Sequence, residues 1–141
     1  DTSSNISWKE LNEAIAKTMQ NYCSEIKRDE LLLSGVEQLE RYQQEVVPNT
    51  AAANPHELVR LLEVYNILTV SQLILQACLV RSGSCENLEF YRSDDDGQFQ
   101  PFLVIRHDGE KTLVREVPLD YAGDLKANYE KNNVDYRKEM K

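Results

Sequence analysis

The stretch LVRLLEVYNILTVSQLILQACLV, residues Leu58 to Val80, decides the fold. Its apolar residues recur at so many helical offsets that they cover almost the whole circumference, and a helix of this kind has to be covered on all sides. The flanking residues define its start. Asn54, Pro55 and Glu57 read as N-cap, first helical and third helical residue, three mutually consistent signals. Gly83 is expected to end the helix, with Arg81 in its last turn against the negative end of the helix dipole. Glu63, Asn66, Ser71, Gln72 and Gln76 interrupt the apolar run, so no stretch reaches about 18 uninterrupted apolar residues, and no membrane span is expected.

Upstream lie two shorter amphipathic helices. Ser7 and Glu10 form an S-x-x-E capping box, a signal for a helix start. Trp8, Leu11, Ile15, Met19, Tyr22 and Ile26 then recur three and four apart and form one face, with Lys9, Glu13, Lys17 and Gln20 outward. From about Arg28 to Val46, Leu32, Val36, Leu39, Tyr42 and Val46 repeat the same spacing, and Gly35 weakens that helix slightly. The segment Val47 to Ala53, with Pro48, breaks the pattern. Two such helices can cover about half of the long one, so the remaining apolar face calls for another domain or a second copy of the chain.

Downstream, residues 82–101 read as an irregular polar loop. Phe102-Leu103-Val104-Ile105 and Thr112-Leu113-Val114 flank Asp108-Gly109, the signal for a β-hairpin with a tight type I′ turn. With Asp108-Gly109 at the turn, Val104 lies opposite Leu113 and Ile105 opposite Thr112. The expected layout of this single, mainly α domain is a disordered flank (1–6), a three-helix bundle (7–81), the loop (82–101), the hairpin (102–117) and a charged tail (118–141). The tail is expected as a frayed helix or an extended arm.

Composition narrows the function classes. The 141 residues fit one domain, and a formal net charge of −8 disfavours nucleic acid, whose phosphates need clustered cations. No basic segment leads into an apolar run at the N-terminus, so neither a signal nor a transit peptide is expected. The chain starts at Asp1 without Met, which fits processing or excision from a longer polypeptide. Cys23, Cys78 and Cys85 cannot all pair within one chain, and none sits in a CxxC, which points to a reducing, cytoplasmic setting. Cys23 and Cys78 fall on apolar helical positions and read as small buried hydrophobes. Cys85 lies in a polar turn.

No catalytic constellation is legible. His56 and His107 lie at a helix start and beside the hairpin turn, without a Ser, Cys or carboxylate at triad or metal spacing. Asp94-Asp95-Asp96-Gly97 lacks the alternating ligands and closing Glu of a calcium loop and reads as a solvated turn. No GxGxxG or GxxxxGK[ST] occurs. The segment Arg81 to Arg92 is the most suggestive, with two guanidinium groups and Tyr91 in a loop held by a buried helix. The structural alternative is that Arg81 caps its helix and Arg92 pairs with Asp94.

From Ser7 to Val117 the order of these elements resembles the C-terminal domain of the succinate dehydrogenase and fumarate reductase flavoprotein family, which also includes adenylylsulfate reductase α subunits and aspartate oxidase. The resemblance is carried by Trp8 with Leu11, MQNYC (Met19 to Cys23), LLLSGVEQLE (Leu31 to Glu40) and LLEVYNILTVSQLILQACLVR (Leu61 to Arg81). The loop ending Tyr91-Arg92-Ser93-Asp94 and the Asp108-Gly109 hairpin follow in order. In that family the N-terminal bulk binds FAD, and a terminal three-helix bundle packs against it. The resemblance therefore implies an FAD-dependent oxidoreductase as parent and an FAD-binding domain in the same polypeptide, with an electron-transfer subunit as a further partner. No cofactor is expected in this chain, and the piece alone is expected to be inactive.

The family pattern R-x-E-S-R-G followed by His-Tyr-Arg is here Arg81-Ser82-Gly83-Ser84-Cys85-Glu86, with Phe90 before Tyr91-Arg92. Only Arg81, Ser84, Tyr91 and Arg92 carry over, as an interdomain or ligand-facing loop. An Asp-Glu-Asn-Trp element is absent, with Asp96-Gly97-Gln98-Phe99 in its neighbourhood, so the resemblance does not carry succinate or fumarate over as substrate. The alternative reading is a free-standing helical interaction module whose exposed helix face binds a partner or itself.

Overall fold

The computed structural model describes residues 5–95, 97, 102–109, 111–118 and 120–132. The expected ends of the flank, loop and tail, residues 1–4, 98–101 and 133–141, lie outside them, as does Asp96. Helix α1 spans Trp8–Tyr22, α2 Asp29–Arg41, α3 Pro55–Val80 and α4 Leu125–Asn132. Two-residue strands β1 (Ile26–Lys27) and β2 (Tyr91–Arg92) pair in parallel, and β3 (Phe102–Asp108) and β4 (Lys111–Val117) form an antiparallel hairpin. The fold is thus mainly α, three bundle helices followed by the hairpin and the short α4.

Local chemistry sets the helix ends. Ser7 and Glu10 close the capping box: the Glu10 N–H donates to Ser7 Oγ at 3.3 Å, and the Ser7 N–H to Glu10 Oε2 at 2.8 Å. At α3 the Glu57 N–H donates to Asn54 Oδ1 at 3.0 Å, with Pro55 in the first turn. The far end of α3 departs from expectation. The helix stops at Val80 and leaves through Arg81 in extended conformation (φ −78°, ψ 100°), so the exit is made two residues before Gly83.

The core is one stripe from each helix. Leu11 and Ile15 of α1, Leu32, Val36 and Leu39 of α2, and Val64, Leu68, Leu75 and Cys78 of α3 form a continuous buried cluster. Thr18 is also buried, its hydroxyl satisfied by the Ala14 carbonyl (2.9 Å) and the Tyr42 hydroxyl (3.2 Å). Ile26, assigned to the α1 face by its spacing, instead lies in β1 and is exposed, because α1 ends at Tyr22. Beyond Arg41 the second helix continues as a π turn (Tyr42–Val46) and a 3₁₀ turn (Val47–Asn49) that takes in Pro48. Ile6, expected in the disordered flank, pairs with Thr50, its N–H donating to the Asn49 carbonyl at 3.0 Å.

The hairpin forms where the alternation places it, but with different partners. Asp108 pairs with Lys111, so the turn starts at Gly109, whose φ of +66° suits glycine in the first turn position. Val104 therefore faces Arg115, and Ile105 faces Val114, a β-branched pair in place of Ile105 with Thr112. Each partner shifts by two, so the inward and outward faces are unchanged. Leu103 and Val114, half-buried on one face, mark the side nearer the helices.

Helix α3 is only half covered. Leu61, Val64, Leu68, Ser71, Leu75 and Cys78 are buried, while Val59, Leu62, Ile67, Val70 and Ile74 stand at 44–54% exposure. These 26 residues, about 39 Å of helix, are long and apolar enough by composition to cross a bilayer. Packing of α1 and α2 along one entire side makes α3 the spine of the bundle.

Gly35 of α2 sits close to both α1 and α3. A Cβ there would lie 2.8 Å from Tyr22 Cβ and 3.0 Å from Leu75 Cδ1. On a solvated helix Gly→Ala would stabilise by up to about 1 kcal/mol. Here overpacking reverses the sign, and Gly35→Ala is expected to lower stability by about 1–3 kcal/mol in urea unfolding. A rise in the midpoint would show that the helices do not meet at this point.

Candidate functional site

The residues singled out by sequence, Arg81, Ser84, Tyr91 and Arg92, come together at the end of the bundle where α1 and α3 finish and α2 starts. Two connections meet there. Ile26 pairs with Tyr91 and Lys27 with Arg92, and the Ser93 N–H donates to the Lys27 carbonyl at 3.0 Å. This parallel contact links segments some 65 positions apart, and it holds the 84–94 loop against the start of α2.

Arg92 organises the region. Its side chain is 2% exposed, and its donors are fully engaged. Nε donates to Asp94 Oδ1 at 2.7 Å; Nη1 donates to the carbonyls of Cys78 (2.8 Å) and Arg81 (3.0 Å); and Nη2 donates to Asp94 Oδ2 (2.7 Å) and to Asp29 Oδ1. Hence the last turn of α3, whose carbonyls have no helical partner, is closed by a guanidinium from the loop. The Arg92 N–H in turn donates to Ser84 Oγ at 2.9 Å.

Asp94 does the opposite job for α2. Arg28, the N-cap residue, makes no side-chain capping bond. The Asp29 N–H instead donates to Asp94 Oδ2 at 3.1 Å, so a carboxylate 65 residues downstream stands at the positive end of α2. The hydrogen bond from Arg92 holds the Asp94 carboxyl well below the usual carboxylate range, with the Asp29 N–H adding to it. Reciprocally, Asp94 and then Asp29 raise the Arg92 guanidinium against the cost of its burial.

Arg81 lies over the Phe90 ring, 5.8 Å from its centroid, and Lys27 lies over the same ring at 5.0 Å. Lys27 also donates to the Ser24 carbonyl at 3.1 Å. Tyr91 is half-buried in the β1–β2 pairing. Beside this cluster Cys23 is half-buried and packs against the core that contains the buried Cys78. The Cys78 thiol, helped by Lys27, lowers the Cys23 thiol; Cys23, then burial, raises Cys78. All three cysteines are free thiols.

Sequence reading brought the four loop residues together but missed Asp29 and Lys27. Nothing local marks them: Asp29 meets Arg92 63 positions away, and Lys27 meets the Phe90 ring of the same distant loop. The only available signals were the uncapped start of α2 and the carbonyls at the end of α3. Among the described residues no group of three or more His, Cys, Asp or Glu side chains could hold a metal. His56 borders an open cleft between α1 and α3, with Trp8, Lys9 and Arg60, and His107 is exposed on β3.

The arrangement positions backbone, Arg92 at the end of α3 and Asp94 at the start of α2. Because the Asp94 carboxyl lies below its ordinary value of 3.8, its contribution to stability is complete above that pH and is lost as the pH falls toward the depressed value. Urea midpoints measured from neutral to acid pH are expected to fall through this window, and Asp94→Asn is expected to flatten that limb while lowering the neutral plateau. Arg92→Met, which leaves the two carbonyls without donors, is expected to cost about 2–3 kcal/mol at neutral pH. A neutral-pH midpoint unchanged in both variants would show the network to be dispensable.

The family model for the fumarate reductase flavoprotein C-terminal region matches residues 12–135. No curated protein and no solved structure gives a significant match.

Proposed function

Since the chain belongs to the fumarate reductase flavoprotein C-terminal family, we propose that it buttresses the flavin-binding domain of an FAD-dependent oxidoreductase and forms part of a subunit interface. The observation that carries this reading is the uncovered flank of α3. Val59, Leu62, Ile67, Val70 and Ile74 stand exposed on one flank of a helix whose opposite side is packed, with the exposed Glu63 and Asn66 among them. Covering such a flank with a second domain removes apolar surface from water, each side chain contributing roughly 1.5–3 kcal/mol when fully buried.

In this reading the FAD-binding domain of the same polypeptide is the principal partner and an electron-transfer subunit a further one. Hydride or electron transfer is then the flavin's chemistry, and the protein supplies position and surroundings. The domain described here contributes rigidity: Arg92 and Asp94 fix the ends of α3 and α2, and that fixes the angle at which the α3 flank is presented. The setting that fits three free thiols is the cytoplasm.

In the isolated chain the flank is open to a second copy. Sedimentation at rising concentration is expected to show self-association, and Leu62→Glu with Val70→Glu is expected to abolish it. Both residues are exposed, so melting of the dilute chain is expected to change by less than about 0.5 kcal/mol per site. The purified chain is expected to be colourless, without a flavin absorption band or succinate- or fumarate-linked activity. A stoichiometric flavin band, or monomers throughout with no binding of a flavin domain, would overturn the reading.

A further inference from the structure

We propose that the cleft between the starts of α1 and α3 binds a small aromatic carboxylate, a molecule with one ring and a single negative charge. The cleft exists because both helices begin at the same end of the bundle: the parallel bridge between Ile6 and Thr50 sets the chain entering α1 beside the chain entering α3. Its volume is about 520 Å³, within the roughly 300–1,000 Å³ typical of small-molecule sites. His56, Arg60, Glu63, Val64 and Ile67 fall three and four apart on α3 and line one wall, and Trp8 and Lys9 belong to the other.

The floor and the rim differ in chemistry. The floor is apolar: Val64 is buried, Trp8 is half-buried and packs against the core cluster, and Ile67 is partly exposed. The rim is cationic. Lys9 and Arg60 carry two positive charges against the single carboxylate of Glu63, with the exposed His56 imidazole beside them, in a chain whose net charge is −8. Lys9 Nζ lies 5.5 Å from the centroid of the Trp8 ring, so an ammonium and an aromatic face already stand side by side. Arg60 meets Glu63 through Nη1 at 2.8 Å, with its side chain 46% exposed. That contact engages one nitrogen of the guanidinium and leaves the rest of the fork for a second carboxylate.

These features select the ligand. A ring laid against Trp8 covers Val64 and Ile67 and removes apolar surface from water, while its carboxylate reaches Arg60 and Lys9. An amine of the same shape meets two cations instead. A dicarboxylate brings a second negative charge toward Glu63 and offers the floor no apolar body. Ile67 alone is shared with the exposed residues of the α3 flank, and the binding is a property of this chain without a flavin-binding partner.

Trp8 is the only tryptophan of the 141-residue chain, so its fluorescence and its indole N–H resonance report on this cleft alone. Titration of the dilute full chain with phenylacetate is expected to give a saturable change in both signals, whereas phenethylamine, acetate and succinate are expected to give none. Lys9→Met and Arg60→Gln, both at exposed side chains outside the core, are each expected to weaken phenylacetate binding by about tenfold, the loss of one charge-assisted hydrogen bond. Glu63→Gln, which removes the carboxylate competing for Arg60, is expected to tighten it. The proposal is overturned if phenylacetate gives no saturable change, if phenethylamine or succinate binds as well, if both cation variants bind phenylacetate like the unsubstituted chain, or if Glu63→Gln weakens binding.

Discussion

The described residues are arranged around a helix, α3, that carries more apolar surface than α1 and α2 cover. Helix α3 buries one stripe against α1 and α2 and leaves Val59, Leu62, Ile67, Val70 and Ile74 exposed on the other side. Burial of the stripe is what holds three helices together. The other side is apolar surface whose exposure favours association. Membership of a flavoprotein C-terminal family and this uneven coverage give the same account of the chain, as one layer of a larger protein.

The second constraint is electrical and acts at the ends of the helices. Carbonyls at the end of α3 and amides at the start of α2 lack partners within their own helices. A single loop answers both, with Arg92 on the carbonyls of Cys78 and Arg81 and Asp94 on the Asp29 amide, the two side chains joined by a pair of hydrogen bonds. A buried arginine is costly unless its charge is balanced. Here Asp29 and Asp94 balance it from the solvent side, and the two carbonyls from within. This explains why a polar loop of irregular backbone is held rigidly beside an apolar bundle.

Much of this architecture can be read from local sequence, because local rules write it. The Ser7–Glu10 box, the Asn54-Pro55-Glu57 start and the three-and-four spacing of Leu11, Ile15, Leu32, Val36 and Leu39 give helix starts and core residues directly. What escapes is whatever depends on distant partners. The end of α1 is set by the β1–β2 pairing, which removes Ile26 from the helix face. The hairpin partners follow from the placement of Gly109 in the turn, which alternation alone does not fix. Gly35 reads as a propensity defect until the neighbouring Tyr22 and Leu75 are in place. Within the candidate site, Arg81, Ser84, Tyr91 and Arg92 are legible as a group through their resemblance to a family pattern, whereas Asp29 and Lys27 enter only through the fold.

The account turns on whether the open side of α3 is a covered face in the protein that uses this domain. Carbene footprinting of the chain alone, and of the chain together with its flavin-binding domain, measures this residue by residue. The account predicts strong labelling of Val59, Leu62, Ile67, Val70 and Ile74 in the first sample and protection in the second, with Leu68 and Leu75 unlabelled in both. Equal labelling of the five residues in the two samples would contradict it.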